Sequence, residues 1–292
     1  MASTGEQIAA VNGVELCWEG FGERSDPALL LAHGAGDSMI AWREGLCERL
    51  AEGGRFVVRY DTRDAGRSTT YEPGAPQYDE QDLLEDAVAL IDELGLERVH
   101  LAGLSGGGAS AQVFAIHHPE KLATLTLLST TPGEPGPETA DLPGVDKRVE
   151  GVFSGAYPEP DWADRDAVVD YLVDLERRFA GSGGFDAEAQ REYAGRVFDR
   201  THNLAAMLTN AFMIESSPWR ERLGEIAAPT LVIHGDDDPL FPLEHGQALA
   251  REIPDVELLV LEDVGHEYPP PRTWNVVVPA ILRHTSRVYS AE

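Results

Sequence analysis

The chain has 292 residues, of which 42% are apolar and 25% charged, as in an ordinary globular protein. Its 51 acidic and 23 basic residues give a net charge of −28, which repels nucleic acid phosphates and anionic membranes. No apolar run reaches the roughly 18 residues of a membrane span. The N-terminus lacks the basic start and apolar run of a secretory signal. We therefore expect a cytoplasmic protein with no nucleic acid and no membrane partner.

The two cysteines, Cys17 and Cys47, are too few for a disulfide framework and do not lie at metal-ligand spacing. We expect both to be small buried or half-buried side chains, and we predict no metal and no cofactor. The sequence does not fix the oligomeric state and allows a homodimer.

Short apolar runs alternate with helical patterns in the first half of the chain, which is typical of β-α-β units and a parallel sheet. Two strands joined at Asn12-Gly13 predict an opening hairpin. Nearly continuous apolar runs predict buried parallel strands at 28–32, 55–60, 99–102 and 123–128. Apolar residues at helical spacing predict a helix over 81–94, and a second helix begins near Gly106.

The pattern changes after residue 130. Residues 131–137 are rich in Pro and Gly and predict a loop, and 160–216 have a helical pattern without a convincing strand. Strand patterns return at 230–234 and 256–260. Because strands flank the helical stretch on both sides, we prefer an insertion to an independent second domain. The prediction is an α/β core of residues 1–133 and 223–292, with a helical lid insertion over 134–222.

The segment Gly103-Leu104-Ser105-Gly106-Gly107 matches G-x-S-x-G between a predicted strand and a predicted helix, which is the context that this motif requires. A serine on such a tight turn exposes its hydroxyl above the sheet. The alternatives are a glycine-rich turn with an incidental serine, or a phosphate-binding loop. The second is disfavoured because neither G-K-[ST] nor G-x-G-x-x-G is present. We predict Ser105 to be a nucleophile.

A serine nucleophile needs N–H donors directed at the oxyanion that forms on the carbonyl. One donor is expected to be Gly106, the residue after the nucleophile. The other is expected in the loop His33-Gly34-Ala35-Gly36, where Ala35 is the candidate, although the loop could also be a plain turn. We expect His33 to hold this loop through a hydrogen bond.

The serine also needs a histidine base, and the base needs a carboxylate that fixes its tautomer. Among the nine histidines, His266 lies on a glycine-containing loop directly after a predicted strand, so we predict it to be the base. The acid is expected in the run Asp236-Asp237-Asp238 after another strand. We choose Asp238 because Pro239 favours an extended conformation for the residue before it. Asp236 and Asp237 stay as alternatives.

With these residues in the order nucleophile, acid, base, the sequence resembles the α/β-hydrolase superfamily over nearly its whole length. Within it, residues 59–70 resemble the loop after the fourth strand of aclacinomycin methylesterase-like proteins, in which Asp64 stands where most superfamily members have glycine. The resemblance implies an α/β-hydrolase fold with a mostly parallel eight-stranded sheet flanked by helices. It also implies hydrolysis of a methyl ester on a polyketide. Two departures are His33 before the glycines and Gly106, which we expect to leave room beside the oxyanion.

The predicted function is a serine hydrolase of a carboxylic ester. We expect its small-molecule substrate to be a hydrophobic, medium-sized ester or lactone. Six residues are candidates for the substrate pocket: His33, Phe153, Trp162, Met207, Phe212 and Met213. Alternatives with the same triad are a lactonase, a C–C bond hydrolase and a cofactor-free perhydrolase. A ligand-binding receptor on the same fold is the alternative without catalysis. Epoxide hydrolases and haloalkane dehalogenases are disfavoured because they carry Asp where this chain has Ser105.

Overall fold

The computed structural model describes residues 3–152, 157–214 and 216–287, and an eight-stranded sheet lies at its centre. The strands are β1 (Ser3–Val11), β2 (Val14–Phe21), β3 (Ala28–Ala32), β4 (Phe56–Tyr60), β5 (Val99–Leu104), β6 (Leu122–Leu128), β7 (Thr230–Gly235) and β8 (Val256–Leu261). Their order in the sheet is β1-β2-β4-β3-β5-β6-β7-β8. The pairs β1–β2 and β2–β4 are antiparallel, and every other pair is parallel. The predicted mostly parallel sheet is confirmed.

Helices cover both faces of the sheet. They are α1 (Glu44–Glu52), α2 (Glu80–Glu93), α3 (Gly106–His117), α4 (Arg165–Phe179), α5 (Ala187–Arg200), α6 (Leu204–Asn210), α7 (Leu243–Glu252) and α8 (Trp274–His284). Leu90 of α2 and Phe114 of α3 lie in one buried cluster, which we call the first core. Leu50 of α1 and Ile281 of α8 lie in a second cluster on the opposite face. The strands β3 to β5 are buried along their whole length, which explains their unbroken apolar runs.

Local signals in the sequence set several element boundaries. Asn12 and Gly13 have φ values of +45° and +78°, as the tight turn between β1 and β2 requires. At the start of α2, the Asp79 side chain accepts a hydrogen bond from the N–H of Asp82, and the Asp82 side chain accepts one from the N–H of Asp79. This reciprocal capping satisfies two N–H groups that the helix cannot pair internally.

Helices α4, α5 and α6 lie in the chain between β6 and β7. They pack on the core through a cluster that joins Val168, Val197 and Met207 to Met39 and Ile40. The predicted insertion ends at residue 222, but the chain already contacts the first core before that point. Trp219 is buried in this core, and its indole N–H donates to Gln112 Oε1 at 3.1 Å. The bounds of the insertion and its role as a lid stay predictions.

Both cysteines are free thiols with buried side chains, as expected from the sequence. Over the described ranges, no helix combines the length and the apolar character needed to cross a membrane.

Candidate active site

Ser105 lies at the junction of β5 and α3 in a strained backbone conformation, with φ +53° and ψ −119°. A non-glycine residue adopts positive φ only when its surroundings impose it. A Cβ atom on Gly103 would lie 2.2 Å from the Gly107 carbonyl oxygen, and one on Gly107 would lie 2.4 Å from the His33 carbonyl oxygen. Larger residues cannot fit at either position, so the two glycines of the motif are required by the turn that presents Ser105.

The imidazole of His266 contacts the serine hydroxyl directly. His266 Nε2 lies 2.9 Å from Ser105 Oγ, and Nδ1 lies 2.9 Å from Asp238 Oδ2. Because a carboxylate only accepts, Nδ1 carries the proton and Nε2 is free to accept from the serine. The ring lies beside the rings of Phe179 and Phe241, with centroids 5.8 and 5.4 Å away. The His266 backbone N–H also donates to the Phe179 carbonyl at 2.8 Å, so α4 helps to place the loop that carries the histidine.

Asp238 is a buried carboxylate whose two oxygens have different partners. Oδ2 accepts from His266, while Oδ1 accepts from the N–H groups of Leu240 and Phe241 at 2.9 and 2.8 Å. Burial raises the pKa of the Asp238 carboxyl, but the charge and hydrogen bond of His266 outweigh it and hold the pKa below the usual value. Asp238 is therefore ionised at neutral pH.

The two neighbouring acids point elsewhere. Asp236 Oδ1 accepts from the Asp263 N–H at 2.8 Å. Asp237 pairs with Arg148 at 2.8 Å and accepts from the Ser182 N–H at 2.7 Å. Of the three acids, Asp238 is the one whose carboxylate is hydrogen-bonded to His266.

The N–H groups of Ala35 and Gly106 lie next to each other beside Ser105. A Cβ atom built on Gly106 would lie 3.0 Å from both the backbone nitrogen and the Cβ of Ala35. Among the described residues, neither N–H donates to a protein acceptor. Two free donors close together suit an oxyanion. The room expected beside Gly106 is not there, because the loop carrying Ala35 occupies it.

His33 lies beneath this loop. Thr62 N–H donates to its Nε2 at 3.2 Å, so Nδ1 carries the proton and donates to the Gly34 carbonyl at 2.9 Å. Burial lowers the pKa of His33, which keeps the ring neutral. The structure thus gives His33 the hydrogen bond to the loop that the sequence led us to expect.

The other candidate pocket residues have varied surroundings. Met207 is buried in the cluster that joins α5 and α6 to the core, and Trp162 packs against that cluster and edge-on to Tyr171. Both side chains therefore take part in this packing, and their place in a substrate pocket stays a prediction. Phe212 is 56% exposed, and its ring lies over Gly36, the residue after Ala35. Met213 is 49% exposed. Phe153 lies outside the described residues.

A cavity of about 470 Å³ adjoins the loop of His266 and the loop of Ala35. Its walls include Asp37, Arg43, Glu176, Tyr193, Glu267 and Tyr268. The described candidate pocket residues do not line it. The sequence did not lead us to predict these polar residues, although Asp37 directly follows Gly36 and Tyr268 lies two residues after His266.

Two carboxyl groups of this cavity hold protons unusually well. Burial, with the charges of Asp37 and Glu267, raises the pKa of Glu176 to about 8. Burial also raises the pKa of Asp37 to about 6, although hydrogen bonds from Tyr268 and Tyr193 oppose the rise. Glu176 is therefore mostly protonated at neutral pH. In the described part of the chain, no three His, Cys, Asp or Glu side chains are grouped to hold a metal ion.

The structure explains how Asp64 can stand at a position where most superfamily members have glycine. Its φ is +64°, a value that glycine adopts freely and Asp tolerates better than most residues. Its carboxylate accepts from the Tyr71 N–H at 2.6 Å and from Asn210 Nδ2 at 2.9 Å. The side chain thus ties the loop after β4 to the end of α6, which glycine cannot do.

Comparison with known proteins gives one family. Residues 29–279 match the model of the alpha/beta hydrolase family. Rhodomycin D methylesterase DauP of Streptomyces sp. (strain C5) is 31% identical over 88% of this chain and 90% of its own. The 2-hydroxy-6-oxo-6-phenylhexa-2,4-dienoate hydrolase of Comamonas testosteroni is 31% identical over 82% and 81%. The esterase RhEst1 from Rhodococcus sp. ECU1013 superposes with a TM-score of 0.78 at 20% identity, over 98% of this chain and 100% of its own. The methylesterase match confirms the resemblance inferred from residues 59–70.

Proposed function

Because the chain is a hydrolase that belongs to the alpha/beta hydrolase family, we propose that it cleaves a carboxylic ester through a serine acyl-enzyme. The observation that carries this proposal is the hydrogen-bonded chain from Ser105 Oγ through His266 to Asp238, with both distances 2.9 Å. A serine hydroxyl becomes a competent nucleophile when a neighbouring base accepts its proton. The free N–H groups beside it supply the second requirement of acyl transfer.

In the first half of the reaction, His266 Nε2 takes the Ser105 proton while Oγ attacks the ester carbon. The carbonyl oxygen becomes an oxyanion that accepts from the Ala35 and Gly106 N–H groups. When the tetrahedral intermediate collapses, the bond to the alcohol breaks and His266 gives its proton to the departing oxygen. An acyl-enzyme and a free alcohol result.

In the second half, His266 takes a proton from water, and the resulting hydroxide adds to the acyl carbon. Collapse of this intermediate returns the proton to Ser105 Oγ and releases the carboxylic acid. Asp238 keeps the His266 proton on Nδ1 throughout and stabilises the imidazolium that forms in each half. Ser105, His266 and water thus account for every proton transfer of the cycle.

We propose that the helices between β6 and β7 act as the lid of this site. The proposal is supported by three contacts: the Phe179 carbonyl with the His266 N–H, the Phe179 ring with the imidazole, and the Phe212 ring over Gly36. The similarity to a rhodomycin D methylesterase favours the methyl ester of an aromatic, polyketide-like acid as the substrate. A C–C bond hydrolase is the second candidate, because a dienoate hydrolase has the same sequence identity to this chain, 31%, as the methylesterase.

Labelling with a fluorophosphonate probe tests the nucleophile. We expect wild-type protein to be labelled and Ser105→Ala not to be. Ser110→Ala, on the exposed side of the same helix, should be labelled like the wild type. His266→Ala should lose turnover of short p-nitrophenyl esters, by roughly 10³-fold or more. Equal labelling of wild type and Ser105→Ala would overturn the assignment.

Two substrate types then separate the candidate reactions. An aromatic methyl ester releases methanol on ester hydrolysis, whereas a 2-hydroxy-6-oxo-dienoate loses its visible absorbance on C–C cleavage. We expect kcat/KM for the methyl ester to exceed that for the dienoate. The reverse order would make C–C cleavage the function.

A further inference from the structure

The backbone of Gly34 is held by hydrogen bonds on both sides. Its carbonyl accepts from His33 Nδ1 at 2.9 Å and from the Asp37 N–H at 3.2 Å. Its N–H donates to the hydroxyl of Tyr268 at 2.8 Å, a contact between residues 234 positions apart. Glycine is the residue whose two torsions are least restricted, so these contacts, and not a side chain, set the path of the loop.

The orientation of the Ala35 N–H follows from these contacts. The Gly34 carbonyl and the Ala35 N–H belong to one planar trans peptide, in which the two groups point in opposite directions. Because the Gly34 carbonyl is directed toward His33, the Ala35 N–H is directed to the opposite side, toward Gly106 and Ser105. Rotation of that peptide is limited further because the preceding N–H is anchored on Tyr268.

Tyr268 is itself fixed from three directions. Its ring meets Trp42 edge-on at a centroid distance of 5.1 Å. Its hydroxyl accepts from the Gly34 N–H at 2.8 Å and interacts with the Asp37 carboxyl group. Asp37 Oδ1 also accepts from the Tyr193 hydroxyl of α5, at 3.4 Å. The loop of the predicted base is thus connected to the loop of the predicted oxyanion donor by one side chain.

We propose that Tyr268 is a positioning residue that holds the Ala35 N–H in line with the oxyanion, through its hydrogen bond to Gly34. This inference rests on the proposed serine-hydrolase function. Tyr268 does not touch the reacting atoms and acts through the loop. Burial and the charge of Asp37 raise the pKa of Tyr268 well above its usual value, so the hydroxyl keeps its proton at neutral pH.

The substitution Tyr268→Phe tests the inference because it keeps the ring and its contact with Trp42 and removes only the hydroxyl. We expect kcat on a p-nitrophenyl ester to fall about 10- to 100-fold with KM changed less than about twofold. Affinity for a trifluoromethyl ketone should fall by the same factor as kcat. That inhibitor forms a hemiketal with Ser105, and the hemiketal oxyanion accepts from the same N–H groups as the oxyanion of the reaction. A purely structural defect would not lower kcat and inhibitor affinity by the same factor.

Tyr60→Phe is the matched control, since the Tyr60 side chain is buried in the first core. It should leave kcat within about twofold of the wild type. If Tyr268→Phe loses its native circular dichroism, Asp37→Asn replaces it, with an expected fall in kcat of about 3- to 10-fold and the same match to inhibitor affinity.

The results distinguish a failure of the role proposed for Tyr268 from a failure of the proposed serine-hydrolase function. An active wild type with unchanged kcat and unchanged inhibitor affinity in the folded variant would overturn the role of Tyr268 and leave the hydrolase proposal standing. A fall in kcat without a fall in inhibitor affinity would also overturn it. A wild type that is neither labelled by fluorophosphonate nor active would overturn the proposed function itself.

Discussion

At the scale of single residues, the site depends on groups held in unfavourable states by their surroundings. Ser105 keeps a positive φ, and Asp238 stays charged although only 4% of it is exposed. A buried charge is tolerated when hydrogen bonds replace its water. For Asp238, these come from His266, Leu240 and Phe241. A change at this carboxylate therefore tests both charge and tautomer.

The substitution Asp238→Asn preserves the shape of the side chain and removes its charge. The amide oxygen can still accept from Leu240 and Phe241, but the amide N–H₂ then faces His266 Nδ1 and forces the proton onto Nε2. That tautomer cannot accept the Ser105 proton. We expect kcat on a p-nitrophenyl ester to fall on the order of 10⁴-fold, with a native circular dichroism spectrum. A variant that keeps a tenth of wild-type kcat would contradict the role given to Asp238.

At the scale of elements, α5 is attached to the sheet by one buried cation. Arg200 pairs with Asp61, which follows β4 and is fully buried, and with Glu6 of β1 at 2.6 Å. Asp61 Oδ1 also accepts at 2.8 Å from the N–H of Met39, which follows the loop of Ala35 in the chain. The ion pair thus connects α5 with β1 and with the residue after β4, near the site.

Arg200→Met would leave the Asp61 carboxylate buried without its cation. We expect the free energy of unfolding in urea to fall by about 3–5 kcal/mol. Arg196→Met on the same helix is the control, because its pair with Glu44 is about half exposed, and it should cost less than about 1 kcal/mol. Equal losses in the two variants would show that burial does not govern the strength of this attachment.

At the scale of the whole molecule, repulsion among surface charges opposes the compact state. The net charge of −28 places many carboxylates within one Debye length of each other at low ionic strength. Exposed ion pairs such as Arg191 with Asp170 contribute little against this repulsion.

We therefore expect added salt to stabilise the protein. Between about 0.02 and about 0.5 M NaCl, a gain of about 1 kcal/mol would raise Tm by roughly 2–4 °C. Tetramethylammonium chloride should have a similar effect, because screening does not depend on the cation. A Tm that falls with both salts would mean that ion pairs outweigh the net repulsion.

The sequence by itself determined the sheet, most helices and the turn that carries Ser105, because the signals for them are local. Burial of a parallel strand requires an unbroken apolar run, and the turn after β5 admits only glycine at positions 103 and 107. The choice of Asp238 followed from the neighbouring Pro239, and the geometry matches it, while the catalytic roles of Ser105, Asp238 and His266 stay predictions.

Only the tertiary structure decided which side chains meet across long stretches of chain. Gly34 and Tyr268 are 234 residues apart, and Ser105 and His266 are 161 apart. Met207 has the apolar character of either a pocket wall or a core residue, and only the structure shows that it is buried in one cluster with Val197 of α5. Likewise Ala35 fills the space beside Gly106, which no local pattern reveals. The spacing of apolar residues indicates which face of a helix or strand is buried. Contacts between distant elements depend instead on how the sheet brings the ends of those elements together.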